Sequence, residues 1–328
     1  MTIPGTLLPT CGTRLALLLS LLALLFCPRV ASAKTPTDLA GKLAWQIALE
    51  REAFSPGLID GKPGFKTKLA TEFFQHAHDL PKTGILDDAT EAALKPDAEL
   101  AIVSHHVEQA DLEGITPFTE DWNVRVQQQR MGYYSVLDGL AEKFHTSQSL
   151  MKLLNPDVDF ANLSAGTELA VPGVAEGMPR KAAGITVDLP RKLIMATDAH
   201  GNVLAMFHCS IAARMEKRPA GQTTIITNAI DPNYTFDPIN WPEVKDVDRK
   251  LIIPPGPRNP VGMCWIGLGL PGYGMHGTPW PELIGKTGSH GCFRMTNWDA
   301  RRLAKMVKVG QTVQFIGEGD SNAGGTSR

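Results

Sequence analysis

Four side chains near the C-terminal end of the chain could do chemistry together: Cys292, His276, His290 and Arg294. They fall in the runs Tyr273-Gly274-Met275-His276-Gly277-Thr278 and Ser289-His290-Gly291-Cys292-Phe293-Arg294-Met295-Thr296-Asn297. A thiolate is a nucleophile suited to acyl transfer, and a nearby imidazole takes up its proton. Glycines beside a nucleophile let a substrate backbone come close. They also let backbone N–H groups converge on a developing oxyanion. An arginine grips a carboxylate with paired hydrogen bonds. Taken singly, a cysteine is more often a small buried hydrophobe. The clustering is what points to a cysteine-dependent acyl-transfer site.

The elements that must position these residues are mostly strands. Lys192–Ala196 and Val203–Phe207 flank Asp198-Ala199-His200-Gly201-Asn202, a hairpin signal. Thr223–Thr227 is a β-branched run. Pro254 to Pro260 reads as a loop, Val261–Leu268 as a further strand and Val313–Ile316 as the closing one. Trp298–Val307 reads as an amphipathic helix with Asn297 as its cap. The expected architecture is multidomain α+β. Its catalytic part, residues 185–318, is mainly β and sandwich-like; residues 319–328 form a polar, glycine-rich tail.

Upstream the periodicity is helical. Trp45, Ala48 and Leu49 share a face, as do Leu69, Phe73 and Phe74, and Asp87-Asp88 opens a short helix ending near Leu94. Residues 39–95 therefore read as a small helical domain. Between 130 and 175 the order is strand, helix, helix, strand. Gly132–Leu137 runs into a helix capped by Ser135, a second helix stops at Asn155-Pro156, and Gly166–Pro172 returns as a strand.

The chain has 328 residues, enough for two or three domains, and its 32 basic and 34 acidic side chains nearly balance at −2. No basic run or excess points to nucleic acid. Residues 1–33 read as a secretory leader: Arg14, an apolar stretch Leu15–Phe26 interrupted only by Ser20, and the small-residue site Ala31-Ser32-Ala33. The stretch is short for a membrane span. Cys27 raises lipid attachment as an alternative, although Phe26 before it is the wrong kind of residue. Cleavage gives a mature end at Lys34 and leaves Cys209, Cys264 and Cys292. The odd count fits one reactive thiol, Cys292. Cys209 and Cys264 are read as unpaired buried strand thiols, with a disulfide between them as the alternative. His105-His106 has no companion ligands at metal spacing, so no metal or cofactor is expected.

The runs His276-Gly277-Thr278, Ile284-Gly285 and Ser289-His290-Gly291-Cys292-Phe293-Arg294-Met295 together resemble the signature of the L,D-transpeptidase (YkuD-like) catalytic domain. Residues 39–95 are similar to a peptidoglycan-binding helical domain through Gly57-Leu58-Ile59-Asp60-Gly61-Lys62, Lys66-Thr67 and Phe74-Gln75. Residues 130–175 look like a LysM domain, a class that binds glycan strands. The resemblance implies a periplasmic or cell-envelope enzyme acting on peptidoglycan. Cys292 would form a thioester with the third stem-peptide residue and release D-Ala. An amine on another stem peptide or on an outer-membrane lipoprotein would resolve it. His276 matches the family's proton acceptor, in an ion pair with the thiolate, with His290 as the alternative base. The N–H groups of Gly291 and Cys292, beside Ser289, are the oxyanion candidates, and Arg294 would hold a substrate carboxylate. Other readings remain: a carboxypeptidase or cross-link hydrolase on the same thioester, or an inactive wall-binding protein.

Overall fold

The computed structural model describes residues 1–2, 36–175, 177–240 and 244–317. Apart from its first two residues the expected leader lies outside these, as do Lys34 and the tail over 319–328. The first helix, α1 (Leu39–Arg51), starts where the Asp38 carboxylate accepts the Gly41 N–H at 2.7 Å. A side-chain acceptor there satisfies one of the orphan donors of the first turn. α2 (Phe65–Ala77) and α3 (Asp88–Leu94) follow, α3 capped by Asp87 as its sequence predicts. The Gln46 side chain on α1 accepts the N–H groups of Asp60 and Gly61 at 3.0 and 2.9 Å, which pins the connecting turn. α1 is apolar on more than one face because it lies between two cores. Leu43, Ala44 and Ile47 pack with Ile59 and Leu150, while Trp45, Ala48 and Leu49 pack with Leu69, Phe73 and Phe74.

Strand β1 (Ile102–His106) leads into single turns α4 (Gln109–Leu112) and α5 (Trp122–Arg125). Helices α6 (Val136–Lys143) and α7 (Gln148–Leu154) come next, and β2 (Glu168–Pro172) returns antiparallel to β1. The helices sit where the sequence puts them, and Ser135 caps α6. The first strand does not. Tyr133 makes only an isolated bridge to Ile115, and the partner of β2 lies thirty residues upstream, at 102–106. Ser104, His105 and His106 hide that strand from an apolar-alternation reading.

The C-terminal part of the chain contains β3 (Gly184–Asp188), β4 (Leu193–Thr197), β5 (Val203–His208), β6 (Gly221–Ile230), β7 (Tyr234–Phe236) and β8 (Leu251–Ile253). Then come β9 (Cys264–Leu268), β10 (Gly274–His276), β11 (Phe293–Arg294), helix α8 (Asn297–Met306) and β12 (Thr312–Ile316). Eight of the strands form one sheet in the order β11-β10-β9-β6-β12-β3-β4-β5, and β7 and β8 pair separately. The expected two-layer sandwich is thus a single curled sheet. Its ends meet: Ser210 N–H donates to Arg294 O at 2.8 Å, Arg294 N–H donates back at 3.0 Å, and Ser289 N–H donates to Ile211 O at 2.8 Å. Closure of this kind removes exposed edges. α8 fills the inside against β6, β9 and β10, with Ala300, Leu303 and Met306 among Ile266, Met275, Phe293 and Phe315. The cap of α8 is Thr296, whose hydroxyl accepts the Asp299 N–H, and not Asn297.

The three segments share buried contacts. Leu193, Met195 and Met206 of β4 and β5 belong to the core of α1 and α2. Arg258, 2 % exposed, donates to both carboxylate oxygens of Asp138 on α6 at 2.6 and 2.8 Å and to Glu142 at 2.5 Å. Glu142 also accepts from Asn297 on α8 at 2.9 Å. On the other side of α8, Ser55 donates to Asp299 at 2.8 Å, and Glu50 of α1 faces both His145 and Arg302. Cys209 and Cys264 are separate buried thiols, pushed up by burial, Cys264 to about 12.

Candidate active site

Strand alternation brings the reactive residues together. β10 and β11 are parallel neighbours with Met275 opposite Phe293 and His276 opposite Arg294. Met275 and Phe293 both point into the core. Successive residues on a strand point to opposite faces. Gly274 and His276 therefore share the other face with Cys292 and Arg294. On β9, Trp265 is opposite His276 and joins that face. Its ring stacks on the His276 imidazole with centroids 5.6 Å apart. A Cβ at position 274 would lie 2.5 Å from the Trp265 ring, so only glycine admits the indole there.

His276 is 5 % exposed, and its Nδ1 lies 2.6 Å from the carbonyl oxygen of Gly277. Nδ1 must carry the proton to donate to a carbonyl, which leaves Nε2 as the basic nitrogen. Burial, aided by the Arg294 charge and opposed by the Gly277 hydrogen bond, drops the imidazole to about 4. Cys292 is half-buried, and its Sγ sits 3.3 Å from the Gly272 carbonyl. Loss of solvent pushes the thiol above its ordinary value, with the Gly274 N–H and the Arg294 guanidinium pulling the other way. Both shifts favour the neutral form of the side chain. Withdrawal of the imidazole from water thus weighs against the expected resting ion pair and toward a thiol beside an imidazole.

The loop carrying the cysteine is held from within. Ser289 Oγ donates to the Cys292 carbonyl at 2.6 Å and accepts the Gly291 N–H at 3.2 Å. Gly291 therefore already has a partner for its N–H within the loop. The Arg294 guanidinium donates to the Gly288 carbonyl, bracing the same loop, while its Nε is buried with no hydrogen-bond partner. An unmet donor on a cation beside the nucleophile suits a carboxylate. His290 is exposed on the turn. His208, read as a strand residue, ends β5 fully enclosed, and His200 lies on an exposed turn.

Three contributors were not singled out in the sequence. They are Trp265, Tyr273, whose ring faces Gly291 and whose hydroxyl donates to Lys217 O at 2.8 Å, and the Gly272 carbonyl. Tyr273 and Gly274 stand in the quoted run, but nothing in their types announces the packing.

Residues 182–315 match the L,D-transpeptidase catalytic domain family, YkuD. That segment is an L,D-transpeptidase catalytic domain. Residues 43–94 match a peptidoglycan-binding domain family. The chain is 25% identical over 181 residues to a Bacillus licheniformis protein bearing the L,D-transpeptidase YkuD name, covering 55% of this chain and 92% of that one. It is 30% identical over 175 residues to YbiS of Escherichia coli K12, named a probable L,D-transpeptidase, covering 45% of this chain and 55% of that one. Among solved structures, an L,D-transpeptidase from Xylanimonas cellulosilytica overlaps 86% of this chain and 94% of that one at 15% identity, with a TM-score of 0.35. So loose an overlap adds nothing about the site. All the reactive residues discussed above, Cys292, His276, Ser289, Gly291 and Arg294, lie inside the L,D-transpeptidase domain.

Proposed function

We propose that the protein is a peptidoglycan L,D-transpeptidase of the cell envelope in which Cys292 is the nucleophile and His276 its proton carrier. The observation that carries this is the shared sheet face of Cys292, Arg294, Gly274 and His276, within a domain that matches that family. Bound substrate brings the carbonyl of the third stem residue to Sγ. The thiol proton passes to Nε2 of His276 as the S–C bond forms. The amine of the departing D-Ala takes that proton as the C–N bond breaks, leaving a thioester. An acceptor amine then attacks, passes a proton through His276, and the thiolate leaves. The Cys292 N–H stabilises the oxyanion in each half, and Arg294 holds a substrate carboxylate. The acceptor is a second stem peptide or a lipoprotein amine; water in that place makes the protein a carboxypeptidase.

The division of the chain belongs to the same proposal: a wall-binding helical domain over 39–95, a LysM-like unit and a catalytic domain over 185–318. The β1–α6–α7–β2 arrangement supports the LysM-like reading once its first strand is taken at Ile102–His106 instead of after 130. Mass spectrometry of products from the mature chain and tetrapeptide muropeptides tests the activity. Cross-linked dimers are expected; shortened monomers would move the assignment to a carboxypeptidase. Substrate returned intact by a folded chain would rule out both.

A further inference from the structure

Between the start of α2 and the loop that leads to Ser289 lies a cavity of about 580 Å³. Lys62, Lys66, Arg191, Lys192 and Lys286 line it against only Asp60 and Glu282. Arg191 is paired with Asp188 at 2.6 Å, but the lysines still outnumber the two acids. Lys66 Nζ donates to the Ile284 carbonyl at 2.7 Å and Lys192 Nζ to the Gly285 carbonyl at 3.0 Å. Two ammonium groups from different domains thus meet at adjacent carbonyls. Each ammonium has three N–H groups, so each keeps donors for a ligand. Burial first, and then the charge of Lys286, press the Lys66 pKa down, with Asp299 and Asp60 pulling the other way.

The helix end adds to this. α2 is preceded by Gly64, which has no side chain to cap it, and Phe65, Lys66 and Thr67 of its first turn all line the cavity. Uncapped first-turn N–H groups and the positive end of the helix dipole favour an anion. The walls also include Pro56, Leu58, Pro281 and Ile284, and the space exceeds what a small inorganic ion fills. Cationic donors on apolar walls match a peptide that ends in a carboxylate.

We propose that this cavity, shared by the helical domain and the catalytic domain, is a second binding site for a peptide with free carboxylates, of the stem-peptide class. The proposal rests on the peptidoglycan reading above and deepens it. The peptide would be held against Ile284 and Gly285, on the segment that runs into Ser289 and Cys292. Anchoring one wall peptide there keeps the enzyme on a polymer whose other peptides reach the nucleophile.

The test uses the full mature chain carrying Cys292→Ala, so that binding is read without turnover. The probes are a free-acid stem-type tetrapeptide, the same peptide with its carboxyls amidated, and inorganic phosphate. Lysine acetylation is mapped by mass spectrometry, with affinity measured by calorimetry. The free-acid peptide should protect Lys66 and Lys192 from acetylation, and the amidated one should not. Lys66→Gln keeps a donor for the Ile284 carbonyl, and Lys286 is exposed, so Lys66→Gln and Lys286→Gln should both fold. Each should weaken the free-acid peptide about tenfold, as loss of a charge-assisted contact does. Unchanged lysine reactivity and affinity overturn the proposal, as does equal protection by phosphate alone, which marks an adventitious ion only. If tetrapeptide still acylates wild-type Cys292 while the lysines stay unprotected, only the cavity assignment falls. If neither acylation nor protection occurs, the peptidoglycan reading falls with it.

Discussion

Replacing His276 with alanine separates two meanings of activation at Cys292. An imidazole at about 4 is imidazolium in roughly one molecule in a thousand at pH 7. The resting sulfur therefore has no cationic partner on that side, and burial holds its thiol above the ordinary range. A thiol of ordinary pKa, about 8.5, is about 3% thiolate at pH 7, and Cys292 should be less ionised than that. Alkylation by iodoacetamide, followed by peptide mapping from pH 5 to 10, should rise about tenfold per unit across the neutral range and show no low-pH plateau. The His276→Ala profile should nearly coincide with it. Transpeptidation should behave differently, because the variant lacks both acceptor and donor of the transferred proton, a loss of about 10²–10⁴-fold. In the wild type, the free-enzyme acid limb should fall only near pH 4. A wild-type alkylation plateau between pH 5 and 7 that vanishes in His276→Ala would establish a resting ion pair and refute this reasoning. A variant that keeps wild-type turnover would transfer the base role to His290.

Arg258→Met leaves Asp138 and Glu142 buried without their cation; removing one partner of such a cluster costs about 3–5 kcal/mol, read as an earlier urea or thermal transition. An unshifted transition would show that the cluster does not tie α6 to the catalytic domain. Asp299 is raised to about 7, chiefly by burial and then by Glu50, so it penalises the fold as pH rises from the unfolded carboxyl value of about 3.9 toward 7. His276 and His208, depressed to about 4 and about 3, act oppositely, withdrawing stability as pH falls below about 6.5. Asp299→Asn removes the counterweight, so its melting temperature should drop more steeply than the wild type's between pH 7 and 4.5; parallel curves would contradict the assignment. Removing residues 34–180 should leave an unstable remainder, because β4 and β5 lose the α1 and α2 side of their core and Arg302 and Asp299 lose Glu50 and Ser55. A soluble, cooperatively melting fragment would show that the catalytic domain stands alone.

Local chemistry on the chain was enough to bring out the candidate nucleophile, the histidine proposed to serve it and most of the elements around them. Spacing in Ser289-His290-Gly291-Cys292 needs no partner to be read, and the caps at Asp87 and Ser135 act within one turn of helix. The strands β4, β5, β6 and β12 announce themselves because β-branched and apolar residues recur along them. What depends on distant residues was not legible. β1 is recognisable only by its pairing with β2, and β10 and β11 are three and two residues long, too short for any period. The closure of the sheet through Ser210 and Arg294 joins segments with no local signal for each other. The protonation of the proposed catalytic pair is likewise a tertiary property. The sequence places a histidine near a cysteine, which alone favours an ion pair. Only the folded chain withdraws His276 from water beneath Trp265 and beside Arg294, and that loss of solvation favours the neutral form of both groups.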